Sequence, residues 1–389
     1  DVAPRESRSQ SLVWMELLAV LVATLIAFAW TQHFYFLSDD FVLLTQFRAP
    51  WPPLSYFFTT PGGDGFFRPI GNILFRLNYA AAGTSPVVWH WTGFLLHAVN
   101  AMLVCLIAAE LGFSRTGRLF AALLFAWHGS RPESVVWMAG RFDLFAALFG
   151  LLSLYCALRG WGAASILAMI LGVWCKESAY AIPIVLWLLP KPRRRLVAWV
   201  SGVCGVPFAW RLVLFVGIGG YASSGSLISA MNALLIRLWA VLVFPINWTQ
   251  PSVMISVAAL LGGIVVLCMA ATQSVRWQYV VLTVAVAAPA ISQLAIGSDL
   301  QKSRVLYLPV LGLCLLFGER IRAVPAVLFL TAQLFFLEHN LTYWREASVA
   351  VRQACQARTT EVIPNSIGGV YALANGRQEC VEIVNAVPN

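Results

Sequence analysis

Apolar runs separated by short basic links set the pattern of this chain. The run 14–30 is apolar apart from Glu16 and Thr24, close to the roughly 20 residues a helix needs to cross a bilayer. Comparable runs follow at 87–111, 119–128, 144–158, up to Lys176-Glu177, 179–189, 196–216, 253–272, 277–296, 305–317 and 324–337. The pattern predicts an all-α polytopic bundle of about 11 transmembrane helices. A twelfth stretch, 234–248, contains Arg237 and closes with Pro245. It reads as a re-entrant or interfacial helix, and 222–225 as a small-residue turn. The first link, 32–86, is long, and loops of that length are uncommon without a role. It carries Asp39-Asp40, the turn Trp51-Pro52-Pro53, the Gly-rich stretch 61–65, and an amphipathic segment 66–79 with Ile70, Ile73, Leu74 and Leu77 on one face. After 338 the pattern turns polar. Residues 339–389 form a small C-terminal cap: a helical start at 344–357, then strand-like pieces 369–373 and 380–384 around Asn375-Gly376, a hairpin signal. Residues 1–338 are the membrane domain.

Composition sharpens this picture. Only 11% of the 389 residues are charged and 60% are hydrophobic, whereas a soluble domain carries about 25% charged residues. The chain is therefore an integral membrane protein. The alternation of a closed barrel is absent, so helices remain. The net charge of +9 is spread over inter-helix links rather than one stripe, which argues against nucleic acid as a partner. Six cysteines (105, 156, 175, 204, 268, 314) lie in apolar runs and read as core. Cys355 and Cys380 lie in the cap, where an extracytoplasmic location would allow a disulfide. Arg5 and Arg8 lead into a helix long enough to span, so a cleavable signal peptide is not expected.

The short basic links (Arg5/Arg8, Arg115/Arg118, Arg159, 191–195, Arg276, Arg320/Arg322) fall on one side in the eleven-span arrangement. The positive-inside tendency makes that side cytoplasmic. The other side receives Asp39, Asp40, Arg68, Arg131, Glu133, Arg141, Asp143, Lys176, Glu177, Asp299, Lys302 and Arg304. Charges of both signs at membrane depth are expensive and usually line a polar cavity. Taken singly, Arg141/Asp143 or Lys176/Glu177 read as helix-tying pairs, and Asp39-Asp40 as the opening of a helix over 41–47. His90 and His97, on one face of the second run with Asn100, read equally as histidines bonded to neighbouring helices. Taken together the set reads as a site: a carboxylate to take a proton from a nucleophile, and cations to hold a departing phosphate. A divalent cation bridging Asp39 and Asp40 is a further option, although no ligand set beyond those two carboxylates is visible. No Gly-rich nucleotide loop is present. A transporter or flippase of lipid-linked saccharide would share such a cavity, but would more naturally show inverted repeats, and none is visible.

The ordered series carries a resemblance. It comprises Asp39-Asp40; Phe67-Arg68-Pro69 with Phe75-Arg76-Leu77-Asn78-Tyr79; His90 with Leu96-His97-Ala98-Val99-Asn100; and Leu119 through Trp127-His128. It continues with Pro132-Glu133-Ser134-Val135-Val136-Trp137, Gly140-Arg141-Phe142-Asp143-Leu144, Lys176-Glu177 and Arg304-Val305-Leu306-Tyr307-Leu308-Pro309. Over residues 10–350 it resembles the membrane domain of the transmembrane, tetratricopeptide-containing O-mannosyltransferases and their bacterial relatives, within the GT-C class. The resemblance implies a polyprenyl-phosphate-sugar-dependent glycosyltransferase, hexosyl or pentosyl, acting on the outer face of a bacterial inner membrane. Its partners would be the lipid-linked donor, a glycan, lipid or protein acceptor, and membrane lipids. Asp39 or Asp40 would be the base of an inverting transfer. Arg68, Arg131, Arg141, Lys176 and Arg304 would hold the donor phosphate, with His90, His128, Glu133, Asp143, Glu177 and Tyr307 supporting. The chain departs from the pattern after His128, where Gly-Ser-Arg precedes Pro132, and residues 1–389 show no tetratricopeptide repeats.

Overall fold

The computed structural model describes residues 3–60, 66–189, 192–215, 238–247, 257, 261, 274–288, 296 and 299–384. The expected span 253–272, the small-residue turn 222–225, the stretch 61–65, Arg237 and Cys268 lie outside the described residues, apart from the isolated positions 257 and 261. Helices dominate. They are α1 (Ala3–Ala29, continued by a 3-10 turn Trp30–His33), α2 (Asp39–Arg48), α3 (Leu54–Thr59), α4 (Pro69–Ala82), α5 (Pro86–Glu110), α6 (Arg115–Trp127), α7 (Pro132–Val135) and α8 (Arg141–Leu158). Next come α9 (Gly162–Val173), a 3-10 turn Glu177–Ala181, α10 (Ile182–Leu188), α11 (Arg194–Phe215), α12 (Leu238–Val243) and α13 (Ser274–Ala287). A 3-10 turn Ser303–Leu306, α14 (Val310–Gly318), α15 (Ala323–Ala357) and α16 (Arg377–Val384) complete the helices. The one sheet among the described residues is a hairpin, β1 (Ser366–Ile367) and β2 (Val370–Tyr371), with Ser366 opposite Tyr371.

The chain is thus an all-α membrane protein. Among the described residues five helices are long and apolar enough to cross a bilayer: Val13–His33, Pro86–Glu110, Arg141–Leu158, Arg194–Phe215 and Ala323–Ala357. Other expected spans are shorter. The α6 helix has 13 residues and α9 has 12, about 20 Å at 1.5 Å per residue against a core of about 30 Å. The run 179–189 is broken into a 3-10 turn and seven helical residues that begin at Ile182-Pro183. Pro309 divides 305–317 in the same way.

Local chemistry sets the boundaries. Ser114 caps α6 by accepting the Gly117 N–H at 3.1 Å. Pro86 stands in the first turn of α5, where its missing N–H costs nothing. The α8–α9 hairpin turns at Gly160, with φ +78°, and its helices are joined by Ser153 Oγ donating to the Ser165 carbonyl (2.8 Å) and Ser165 Oγ to the Ser153 carbonyl (2.9 Å). Such bonds in an apolar interior are worth about 0.6 kcal/mol each. At the same end of the bundle the buried Glu16 of α1 accepts from Arg118 of α6 at 2.6 and 2.8 Å and pairs with Arg115 at 3.2 Å. The segment 66–79 does form a helix, α4, whose buried face is Pro69, Gly71, Phe75 and Ala82. It packs on α8 where Phe75 meets Phe142 at 4.5 Å between ring centroids. A side chain at Gly71 would stand 2.7 Å from that Phe142 ring, so only glycine fits.

The cap differs from its expected form. The α15 helix runs unbroken through 338/339, so the expected domain boundary falls inside a 35-residue helix. The hairpin turn is Gly368-Gly369, both at positive φ (54° and 84°), the backbone a tight two-residue hairpin demands. Asn375-Gly376 instead leads into α16, because the Gly376 carbonyl accepts the Cys380 N–H. Residues 380–384 are therefore helical rather than strand. Cys355 at the end of α15 and Cys380 in α16 form a disulfide with Cα atoms 5.7 Å apart. The cysteines at 105, 156, 175, 204 and 314 are free and buried.

Candidate active site

Beyond the 3-10 turn that ends α1 the chain runs extended to Ser38. There φ is +47°, a conformation non-glycine residues rarely adopt. Three bonds hold the corner: the Ser38 N–H donates to the Ala372 carbonyl (2.8 Å), the Trp137 indole N–H donates to the Leu37 carbonyl (3.1 Å), and His90 Nε2–H donates to the Phe34 carbonyl (2.9 Å). The corner splits the two aspartates. Asp40 is only 2% exposed. Its Oδ2 accepts the Leu37 N–H at 3.1 Å and its Oδ1 accepts the Ala139 N–H at 2.9 Å. Burial pushes its carboxyl up to about 8, against the downward pull of those two bonds. Asp39 is half-buried and turns the other way, with Oδ1 accepting from Asn375 Nδ2 at 2.5 Å and from Ser38 Oγ at 3.4 Å.

Asp40 thereby ties the corner to the loop 137–143, and the expected cations gather around that loop. Arg304 lies over the Trp137 ring at 5.0 Å and forms an ion pair with Glu133. Glu133 also accepts from the Arg304 backbone N–H (3.1 Å) and Ser303 Oγ (3.2 Å). Asp143, in the first turn of α8, holds Lys176 at 2.5 Å. Arg68 lies over Phe66 (4.1 Å) and Phe142 (5.0 Å) and pairs with Glu177 at 3.0 Å, while Arg211 of α11 reaches the same carboxylate at 2.7 Å.

Arg141 is different. It donates to the Trp89 carbonyl (2.5 Å) and Asn78 Oδ1 (3.0 Å) and lies over the Trp89 ring. Among the described residues it makes no ion pair, and Asp40 faces it only at longer range. It lines one end of a groove of about 370 Å³ whose walls are Leu74, Leu95, Leu96, Val99 and Phe145 from α4, α5 and α8, with Asn78 and Thr92 nearby.

Three expected site residues do not join this face. Arg131 is fully buried between the Phe125 and Tyr307 rings (4.3 and 4.4 Å) and donates to their carbonyls at 2.6 and 3.0 Å. His128 donates from Nε2 to the Leu242 carbonyl and accepts from Ser130 Oγ at Nδ1, both at 2.8 Å. The Tyr307 hydroxyl, bonded to His97 Nδ1 (2.6 Å) and Asn100 Nδ2 (3.1 Å), is interior. These groups join helices. The reason is local: a carbonyl left free at the end of a helix is an acceptor, and Arg131 and His128 at the end of α6 meet such acceptors before any ligand can.

The aspartates also do not present a joint cation site. Both Asp40 oxygens turn inward onto backbone N–H groups, and Asp39 points toward Asn375. Among the described residues no three His, Cys, Asp or Glu side chains converge as a ligand set. Four residues outside the expected list belong to the geometry: Asn78, Trp137, Arg211 and Asn375. Arg211 carried a signal, being a lone ionisable group in an apolar run. Asn375 carried none, since its partner lies 336 positions away.

Fold and charge distribution define an all-α integral membrane protein with an acidic corner and a ring of cations around one loop. No family profile matches the chain. Over 125 residues it is 37% identical to Protein O-mannosyl-transferase Tmtc1 of Drosophila melanogaster, an alignment covering 30% of this chain and 15% of that protein. It is 34% identical over 184 residues to Protein O-mannosyl-transferase Tmtc2 of the same organism, covering 41% and 20%. It is 37% identical over 106 residues to human Protein O-mannosyl-transferase TMTC4, covering 23% and 14%. The chain thus spans a fifth or less of the length of these relatives, and the aligned stretches are shorter than the 10–350 over which the resemblance was expected.

Proposed function

We propose that the chain is a membrane glycosyltransferase moving a sugar from a polyprenyl-phosphate-linked donor to an acceptor hydroxyl, with inversion. What supports this reading is a half-buried carboxylate, Asp39, next to the anchored Asp40 that Arg141 faces at longer range, together with a buried Arg141 that makes no ion pair among the described residues and stands at the end of an apolar groove. A lipid phosphate needs both parts of that groove: a wall for the chain and a fixed cation for the headgroup. Asp39 takes the proton of the acceptor hydroxyl as its oxygen attacks the sugar C1. The bond from C1 to the phosphate oxygen breaks, and the polyprenyl phosphate leaves as an anion beside Arg141. Arg68, Lys176 and Arg304, each already paired with a carboxylate, supply positive potential around it. Asp40 anchors the corner and takes no part in proton transfer.

The names of the relatives suggest mannose as the sugar and a protein as acceptor. The reaction face is assigned to the exterior. The Cys355–Cys380 disulfide favours an oxidising compartment, and the segment it fastens bonds directly to Ser38 beside Asp39. The test uses the full chain in lipid vesicles with polyprenyl-phosphate-mannose and a pool of hydroxyl-bearing peptides, following release of polyprenyl phosphate. Wild type turns over and Asp39→Asn loses about 100-fold or more, the range of a general base. Undiminished turnover in Asp39→Asn would overturn the assignment.

A further inference from the structure

The segment after α15 contributes to the acidic corner from outside the membrane domain. Its Ala372 carbonyl accepts the Ser38 N–H, its Asn375 N–H donates to Ser38 Oγ at 3.2 Å, and its Asn375 side chain donates to Asp39 Oδ1 at 2.5 Å. Tyr371 stacks on Trp137 with ring centroids 5.5 Å apart. Gly376, at φ +74°, lies so close that a side chain there would stand 2.8 Å from both the Phe41 side chain and the Ser38 carbonyl. The same segment is fastened at its far end. Cys380, four residues beyond Gly376, is bonded to Cys355 at the end of α15, and Arg377 donates to the carbonyls of Thr360 and Ile363.

We infer that Asn375 is a positioning residue for the Asp39 carboxylate, and that the Cys355–Cys380 cross-link holds it in register. The inference rests on Asp39 being the base. A half-buried carboxylate on the first turn of a helix has several rotamers open to it. One directed N–H bond to Oδ1 selects among them and leaves Oδ2 for the acceptor proton. Misplacing a reacting group by 1 Å can cost about 100-fold in rate, so a contact of this kind acts on turnover more than on donor binding.

The experiment uses the full chain in vesicles with polyprenyl-phosphate-mannose and the peptide pool, measuring kcat and the donor KM. Asn375→Ala is expected to lower kcat about tenfold with donor KM within about twofold, the signature of an interaction made at the reacting centre. Asn375→Ser, which keeps a donor, recovers part of the loss. The Cys355→Ala/Cys380→Ala pair shows the same loss. Adding Asn375→Ala to it costs little more, since the two changes act through one contact. If that double variant fails to fold, reducing the folded wild type with a thiol in the vesicles makes the same comparison.

Wild-type kcat in Asn375→Ala would overturn the proposal. So would a fall in kcat matched by an equal rise in donor KM, or one with no recovery in Asn375→Ser, either of which marks a merely structural contact. Asp39→Asn separates the two levels. If it is dead while Asn375→Ala is normal, only the positioning role falls; if it is active, the base assignment falls and the proposal with it.

Discussion

At the residue scale, a carboxyl that accepts two backbone N–H bonds is ordinarily an easy anion. At Asp40 removal from water outweighs those bonds, and the group is pushed up to about 8, with Asp39 adding to the rise and Arg141 opposing it. The unfolded chain gives up this proton near pH 4 while the folded chain keeps it toward pH 8. The unfolded state then binds fewer protons, so stability falls as pH rises. The contribution of Asp40 is complete below the ordinary carboxylate range and lost as pH climbs through 8. Other groups titrate in the same interval, so the useful quantity is the difference between wild type and Asp40→Asn. That difference is expected to shrink between pH 5 and pH 8, by at most about 1.4 kcal/mol per pH unit. Thermal unfolding followed by tryptophan fluorescence reads it, and a difference that grows with pH would show that the folded form is the anion. The two aspartates were legible as a pair in the sequence. Their division of labour was not, because it depends on the Ser38 turn, the Ala139 N–H and Asn375, all set by tertiary packing.

At the scale of elements, the first turn of α8 is the junction of the site. Arg141 points to the groove, Phe142 lies under Arg68 and against Phe75, and Asp143 holds Lys176. Lys176 and Asp143 are both buried, so removing one partner leaves the other as an uncompensated charge. Lys176→Met alone is expected to cost about 3–5 kcal/mol, whereas Lys176→Met with Asp143→Leu restores most of it, since an apolar pair of similar volume is often neutral. Chemical denaturation of the purified variants measures both. Activity separates the roles: if Lys176 supplies potential at the donor phosphate, the double variant is stable but slow. A double variant as fast as wild type would confine the pair to helix packing. Periodicity located these elements well where runs were long, as with α5, expected at 87–111 and found at Pro86–Glu110. It did less well where apolar runs were cut by prolines, as at Pro183 and Pro309. In the cap, Asn375-Gly376 and Gly368-Gly369 are both turn signals, and strands of two residues carry too little alternation to choose between them.

On the scale of the whole molecule, the proposed reaction requires a path by which a lipid-linked donor reaches a site at the end of a helix bundle. The path we propose is the groove between α4, α5 and α8. Its walls include Leu95 (47% exposed) and Val99 (41% exposed) on a helix long enough to span, so the groove opens sideways on the outer surface of the bundle. Its inner end is Arg141, at the start of α8 where the apolar run begins. A polyprenyl chain entering sideways leaves one hydrocarbon environment for another, so it gains little from the hydrophobic effect and much less than transfer from water would give. On the proposed reaction the groove contributes alignment, bringing the donor phosphate to Arg141. Obstructing the wall should act accordingly. Val99→Trp, at a position that tolerates bulk because it faces outward, is expected to raise the donor KM about tenfold, about 1.4 kcal/mol. The stability of the protein should not change. The rise should be smaller for a donor truncated to one or two isoprene units, which does not reach past the obstruction. Measuring KM for long and short donors in wild type and Val99→Trp makes the comparison. An equal KM for both donors in both proteins would place the lipid on another face of the bundle and leave Arg141 as a packing residue.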